Sequence, residues 1–186
     1  SEDTYRVLMA VESACMLIDV AKGVEERTKK LYDVCRYRQI PIFTFVNKLD
    51  REGKDPLTLI DEIEKTLNMQ CYPVTWPLGI GQRFKGIYNR ITQEVTFYDQ
   101  RREGDEVVTL PFKGPQDPIL EKYLDHETLQ QVRDELELIE GALPPFDVQE
   151  FLSGKLSPVT FGSAKQNFGV DTFLKFFTEF APGPKP

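Results

Sequence analysis

The sequence predicts an α/β protein: a parallel sheet with flanking helices, carrying a small α+β insertion with antiparallel strands. Three observations predict it. Two short apolar runs, residues 14–20 and 42–46, lack period-two alternation, as strands covered on both faces do. Each is followed by an amphipathic segment, and the order strand, helix, strand, helix implies parallel strands joined by right-handed crossovers. From Gly79 to Leu110 the pattern changes to β-branched and aromatic residues alternating around polar turns, which suits antiparallel strands with one wet face.

Ser1 is a candidate N-cap, and Tyr5, Leu8, Met9 and Glu12 follow at helical spacing, which predicts an opening helix. The run ACMLIDV then reads as a strand buried on both faces, and Gly23 breaks it. Across 24–38, Val24, Leu31, Val34 and Cys35 fall on one side of a helix. Pro41 leads into the strand IFTFV. After the loop REGK, Asp55 and Pro56 offer an N-cap and an N1 proline to a helix whose Leu59, Ile60, Ile63 and Leu67 face inward. GQRFKGIYNRITQEVTFYDQ and EVVTL supply the antiparallel strands. A helix from Asp125 places Leu129, Val132, Leu136 and Ile139 together, and Gly141, Pro144 and Pro145 close it. A strand over 158–161 returns to the α/β pattern, followed by an aromatic helix carrying Val170, Phe173, Leu174, Phe177 and Phe180. APGPKP reads as a linker to a further domain.

Composition narrows the function classes. With 40% hydrophobic and 28% charged residues in 186, the chain can bury a substantial core, and no apolar stretch is long enough to cross a bilayer. SEDTYR has neither the basic flank nor the apolar segment of an export signal, and Cys15, Cys35 and Cys71 lie far apart in apolar surroundings. Both features suit reduced core thiols in a cytoplasm. A net charge of −7 disfavours gripping nucleic acid, and direct DNA binding is not expected; Arg101 with Arg102 and Lys29 with Lys30 read as solvated surface. His126 reads as a surface residue, DELELIE as the solvated face of a helix, and Asp19 as the cap of the Lys22–Gly23 turn. Trp76 either packs the insertion or meets a partner.

The chemistry concentrates where the second strand ends. Asn47, Lys48 and Asp50 follow it directly, and Gly162, Ser163 and Ala164 follow the strand at 158–161. In parallel α/β sheets, ligands bind at the carboxyl ends of the strands. Guanine presents two donors on one edge, N1–H and the exocyclic amine, which one carboxylate in the ring plane accepts together; Asp50 fits that role. The Ala164 N–H suits O6, Asn47 suits N7, the Ser163 hydroxyl can brace the loop, and the Lys48 stem can cover the ring face. Adenine reverses both donor–acceptor relations. An Asn-Lys-x-Asp tetrapeptide arises by chance in about one or two of every hundred chains this long, so its place after a buried strand counts for more than its letters. The plainer alternative is that Asn47 and Asp50 only cap a βα turn.

On these residues the sequence resembles the translational GTPases. NKLD at 47–50 matches their guanine-reading N-K-x-D motif, and GSAKQNFGV matches their second base loop at Ser163, Ala164 and Lys165. Elongation factor G is one relative; YPVTWPLGIGQRFKGIYNR, VRDELELIEGA and FDVQEFLSGKLSPVTFGSA are more similar to bacterial peptide chain release factor three. The resemblance covers essentially the whole chain. It implies a P-loop NTPase-type sheet, with 1–78 as the second half of a G domain core, 79–146 as the insertion, 147–180 as the returning strand and helix, and 181–186 as the linker. It implies GTP and GDP as ligands, Mg2+ in the complete protein, GTP hydrolysis by the parent, and the ribosome and class I release factors as partners. An elongation-class GTPase, or a non-catalytic module docking on a ribosomal or factor surface, is the alternative. The sequence contains no G-x-x-x-x-G-K-[ST], and its one D-x-x-G string, Asp50 to Gly53, overlaps the base motif NKLD and so does not match the family's magnesium-positioning segment. The expectation is therefore an N-terminally incomplete G domain with no catalytic residue and no metal ligand in this chain, inactive alone, its first strand exposed at one edge.

Overall fold

The structure, a computed structural model, describes residues 13–98 and 107–180. The opening helix expected over 1–12, the pair Arg101 and Arg102, and the linker lie outside the described residues. The described residues form two four-stranded sheets.

The first sheet is all parallel. β1 (Ala14–Asp19) pairs with β2 (Ile42–Asn47), β2 with β8 (Leu156–Phe161), and β8 with β3 (Gln70–Pro73). Helices α1 (Glu26–Tyr37) and α2 (Pro56–Leu67) make the crossovers. They cover the face that carries Ala14, Met16 and Ile18 of β1 and Ile42 and Val46 of β2, packed with Cys35, Leu59 and Ile63. Asp55 caps α2 by accepting from the Leu57 N–H at 2.9 Å, with Pro56 at the first turn as expected. Such a cap contributes about 1 kcal/mol. The opposite face holds Phe43 against Phe151 of α5 (Val148–Leu152) and against Phe173, Phe176 and Phe177 of α6 (Val170–Phe180).

Two expectations about these elements are corrected. β1 is not buried on both faces: Leu17 is 64% exposed and Cys15 is exposed, because α6 covers β2 and does not extend over β1. Cys15 is therefore not a core thiol, whereas Cys35 and Cys71 are buried. On α6 Phe176 is buried and Phe173, Phe177 and Phe180 pack partly buried in the same cluster, as core aromatics do, while Leu174 is 54% exposed. The edge position expected for β1 holds in the strand order β1-β2-β8-β3 among the described residues.

The second sheet is antiparallel: β4 (Thr75–Leu78), β5 (Gly86–Asn89), β6 (Glu94–Phe97) and β7 (Val108–Pro111) in that order. It starts at Thr75, ahead of the boundary expected at 79. The chain changes sheets across Val74 and Thr75: the Val74 N–H donates to Val159 O at 2.8 Å, and Thr75 Oγ1 accepts from the Phe161 N–H at 2.9 Å. Pro77 removes one ladder donor, which an edge strand such as β4 tolerates. Helices α3 (Ile119–Tyr123) and α4 (His126–Ala142) cover one face of this sheet. Asp125 caps α4 and His126 is exposed, as the sequence indicates. Trp76 is fully buried, edge-on to Phe161 of β8, and its Nε1–H donates to Glu135 of α4 at 2.8 Å. DELELIE is thus not uniformly solvated, since Glu135 is only 4% exposed.

Candidate nucleotide-base site

Three adjacent strand ends build the site. Asp19 of β1 and Asn47 of β2 are register partners, and Gly162 follows β8, the next strand across. After Asn47 the chain turns sharply at Lys48, whose φ of 69° lies in the left-handed region. Such a conformation in a non-glycine residue is uncommon and needs holding by its surroundings. The holding bonds are explicit. Asn47 Oδ1 accepts from the Lys48 N–H at 2.9 Å, and the buried Leu49 donates its N–H to Gly162 O at 3.1 Å. The Arg51 N–H then closes back onto Lys48 O at 3.0 Å.

Asn47 and Asp50 each reach across to the second loop. Asn47 Oδ1 also accepts from the Ala164 N–H at 2.9 Å, and the Ser163 hydroxyl donates to Asp50 Oδ1 at 2.7 Å. With its oxygen engaged twice by main-chain donors, Asn47 keeps its amine as an outward donor. Asp50 keeps Oδ2 as an acceptor beside the oxygen that Ser163 braces. Lys48 Nζ pairs with Asp19 Oδ2 at 2.9 Å, which lays its stem along the mouth of the cluster. Burial raises the Asp19 carboxyl, but the Lys48 ammonium and the Ala21 and Lys22 N–H groups outweigh it and hold the group below the usual range. The turn-capping role expected for Asp19 is present, together with this ion pair.

Five of the six sequence-derived residues, Asn47, Lys48, Asp50, Ser163 and Ala164, are thereby brought to one spot. Lys165 is exposed, and its side chain has no ion pair among the described residues. One expected role needs correcting. The Ala164 N–H is not an open donor for a base oxygen, because it is spent on Asn47 Oδ1; the next amide, that of Lys165, has no hydrogen bond among the described residues. The sequence gives no sign of this link, because Asn47 and Ala164 are 117 residues apart and meet only through strand pairing. Residues that sequence reasoning missed include Glu52, whose Oε1 accepts from the Gln82 N–H at 3.3 Å, and Tyr98, whose hydroxyl accepts from the Gly169 N–H at 3.2 Å. A rule that looks only at strand ends cannot find them, since their partners come from the insertion or reach into it.

The donor set suits guanine. An in-plane carboxylate oxygen, an outward amide donor, a loop amide and an aliphatic stem match the edge, N7, O6 and ring face in turn. Asp50 has room for this, because its other oxygen takes a hydroxyl and not a cation. The sequence holds no G-x-x-x-x-G-K-[ST] loop of the kind that cradles phosphates. Among the described residues no group of three or more His, Cys, Asp and Glu side chains is placed to hold a metal ion. No described helix is long and apolar enough to cross a membrane.

The family model of the Elongation factor Tu GTP binding domain matches residues 1–183. The chain belongs to that family, and is GTP-binding domain sequence of a translational GTPase. A crystal structure of a protein from Thermus thermophilus is similar in fold, with a TM-score of 0.69 at 20% identity; the match covers 97% of this chain and 28% of that one. The chain thus spans well under half the length of that structural neighbour.

Proposed function

We propose that residues 1–186 are the guanine-reading part of a ribosome-dependent GTPase of translation termination. Asp50 accepts from guanine N1–H and the exocyclic amine, Asn47 donates to N7, the Lys165 amide meets O6, and Lys48 covers the ring. The observation that carries this reading is the Ser163–Asp50 bond at 2.7 Å, which fixes one carboxylate oxygen and leaves its neighbour to accept. A half-buried carboxylate that accepts two donors of the right base is left without them by the wrong one, and sites that recognise a ligand through such hydrogen bonds discriminate by about ten-thousandfold. The test is an Asp50→Asn change in the full-length protein. It converts the acceptor pair to an acceptor and a donor, so preference should move from GDP to xanthosine diphosphate, read by competition against a fluorescent nucleotide. Retained GDP preference would remove the reading in favour of simple turn capping.

The finer proposal rests on the resemblance of TWPLG, with Trp76, and of the insertion to release factor three. The parent protein hydrolyses GTP with Mg2+ and promotes departure of class I release factors from the ribosome. Residues 1–186 alone, which contain no G-x-x-x-x-G-K-[ST] loop, turn over no GTP. The full-length protein should accelerate release-factor recycling on terminated ribosomes and leave translocation unchanged. The reverse result would make it an elongation-class factor, and activity in neither assay would favour a non-catalytic docking module.

A further inference from the structure

The two loops that carry the site, 47–54 and 162–169, are tied to each other by the Asn47, Asp50 and Leu49 bonds. Those bonds fix the loops relative to one another. The first loop is also tied to the body of the parallel sheet, by the Lys54 N–H to Val20 O at 2.9 Å and by the Lys48–Asp19 and Lys54–Glu62 pairs, and both loops take further anchors from the insertion.

On the first loop, the buried Leu49 offers its carbonyl to the Gly81 N–H at 2.8 Å, and Glu52 Oε1 takes the Gln82 N–H at 3.3 Å. Gly81 and Gln82 begin the 3-10 turn Gly81–Arg83 that leads from β4 towards β5. On the second loop, Ser163 and Phe168 exchange both main-chain hydrogen bonds, at 2.9 and 3.0 Å, closing the segment that presents Ala164 and Lys165. The Phe168 ring is held by two insertion rings, Phe84 at 5.3 Å and Tyr98 at 4.6 Å between centroids. The Tyr98 hydroxyl accepts from the Gly169 N–H at 3.2 Å. Gly169, at φ +71°, admits no side chain here: a Cβ would lie 2.5 Å from Phe161 O and 2.7 Å from Ile87 Cδ1, an insertion side chain. Both base loops therefore rest on the same foreign surface, one through polar anchors and the other through an aromatic sandwich with a hydroxyl at its edge.

We infer that the insertion is a clamp on the base-reading loops, and that Glu52 and Tyr98 are positioning residues that set base selectivity and nucleotide residence. The inference rests on the guanine reading above. Its logic is that recognition groups need support from neighbours to stay within a fraction of an ångström of productive geometry. Ser163 braces Asp50, so a shift of the second loop misplaces the carboxylate as surely as a shift of the first.

The experiment measures dissociation of GDP and of inosine diphosphate from the full-length protein and its Tyr98→Phe, Glu52→Ala, Glu52→Gln and Asp50→Asn variants. Inosine lacks the exocyclic amine, so the GDP-to-inosine ratio reports the placement of Asp50. Tyr98→Phe keeps the ring and deletes only the acceptor; Glu52→Ala deletes the acceptor of a solvent-exposed side chain. Loss of one such hydrogen bond predicts GDP release about three- to tenfold faster in each, with the longer residence of GDP over inosine diphosphate reduced. Glu52→Gln retains an Oε1 acceptor and should restore both values. The clamp is overturned if both deleting variants release GDP at the wild-type rate, or if GDP and inosine diphosphate weaken in parallel alongside a lowered melting temperature, which is simple destabilisation. An Asp50→Asn protein that shifts to xanthosine diphosphate while Tyr98→Phe and Glu52→Ala change nothing removes the clamp and keeps the guanine reading; an Asp50→Asn protein that does not shift removes both.

Discussion

Beneath the parallel sheet the buried polar groups are neutral hydroxyls, whereas behind the antiparallel sheet Trp76 is buried against a carboxyl group. In the first case Ser157 Oγ donates to Ile42 O at 2.7 Å, so it must accept from Thr44, 2.7 Å away, and Thr44 must in turn accept from the Tyr32 hydroxyl. The carbonyl at the end fixes the direction of the whole chain, and each hydroxyl donates once. Burial drives the Tyr32 phenol far above its ordinary range, so nothing in this network titrates near neutrality. In the second case a single carboxyl, Glu135, faces Trp76 with burial as its dominant influence. The difference teaches that satisfying a buried donor is enough for structure, but the choice of acceptor decides whether the region responds to pH. A hydroxyl relay is indifferent to protons, and a carboxyl is not.

The largest effect that breaks the comparison is expected at Trp76. Trp76→Ala empties the contact with Phe161 and removes one of the two side-chain donors of the buried Glu135. Large-to-small aromatic changes in cores cost about 3–5 kcal/mol, and the lost hydrogen bond adds to this. Unfolding followed by circular dichroism should show it as a loss of the insertion's cooperative transition. Retained wild-type stability would mean that Trp76 does not join the two sheets.

Next comes the pH dependence of Glu135. Burial raises this carboxyl from its ordinary 4.5 to about 7; Asp55 and Asp134 push the same way, against hydrogen bonds from Trp76 and Gln131. Between these values the folded state holds a proton that the unfolded chain has lost. Stability is therefore fully present below pH 4.5 and declines as pH rises towards 7, by up to about 3 kcal/mol at 1.36 kcal/mol per unit. The single tryptophan reports unfolding directly. Glu135→Gln keeps an acceptor for the indole and removes the titration, so its stability should be flat across that window while the parent's falls. Parallel pH profiles for the two proteins would refute the raised carboxyl.

On the other side of the comparison, Ser157→Ala breaks the relay at its last link, leaving the Thr44 hydroxyl without an acceptor. Stranding a buried polar group costs about 1–3 kcal/mol. The loss should be the same at pH 5 and pH 8, which is what separates a neutral network from the Glu135 site. A pH-dependent loss would show an ionisable group that the hydroxyl chain does not contain.

Which parts of this were legible in the sequence follows from how local the determinants are. The Asp55-Pro56 cap, the α4 spacing and the apolar run of β2 are decided within a turn or two, and all were readable. β3 has four residues and ends on Pro73, and α3 and α5 have five each, too short for any period to register. β4 was hidden because Pro77 argues against a strand unless the strand lies at an edge, a fact of topology. Cys15 and Leu17 were misread because an apolar run says that a strand can be covered, not that something covers it. At the site, NKLD and GSAK were readable as letters, but the Asn47–Ala164 bond and the Glu52 and Tyr98 anchors depend on pairings across 117, 30 and 71 residues.

The smallest effect sharpens the comparison from the surface. Asp19 and Glu135 are both carboxylates that accept from side-chain donors, yet Asp19 faces an ammonium at the mouth of the site and is held below its usual pKa range, the opposite direction from Glu135. Asp19→Asn keeps an oxygen for the Ala21 and Lys22 N–H groups and loses only the pairing with Lys48. Because Lys48 is 41% exposed in that pair, water and salt screen the attraction, and the expected cost is under about 1 kcal/mol. Its sign differs too: a lowered carboxyl contributes above its unfolded pKa and loses that contribution as pH falls through the folded value, in the acid range. The difference between the parent and the Asp19→Asn variant should therefore be absent at strongly acid pH, small at neutral pH, and smaller still at molar salt. A difference as large as that of the buried carboxyl would mean that Lys48 and Asp19 are shielded from solvent, and the contrast between a wet ion pair and a dry carboxyl would fail.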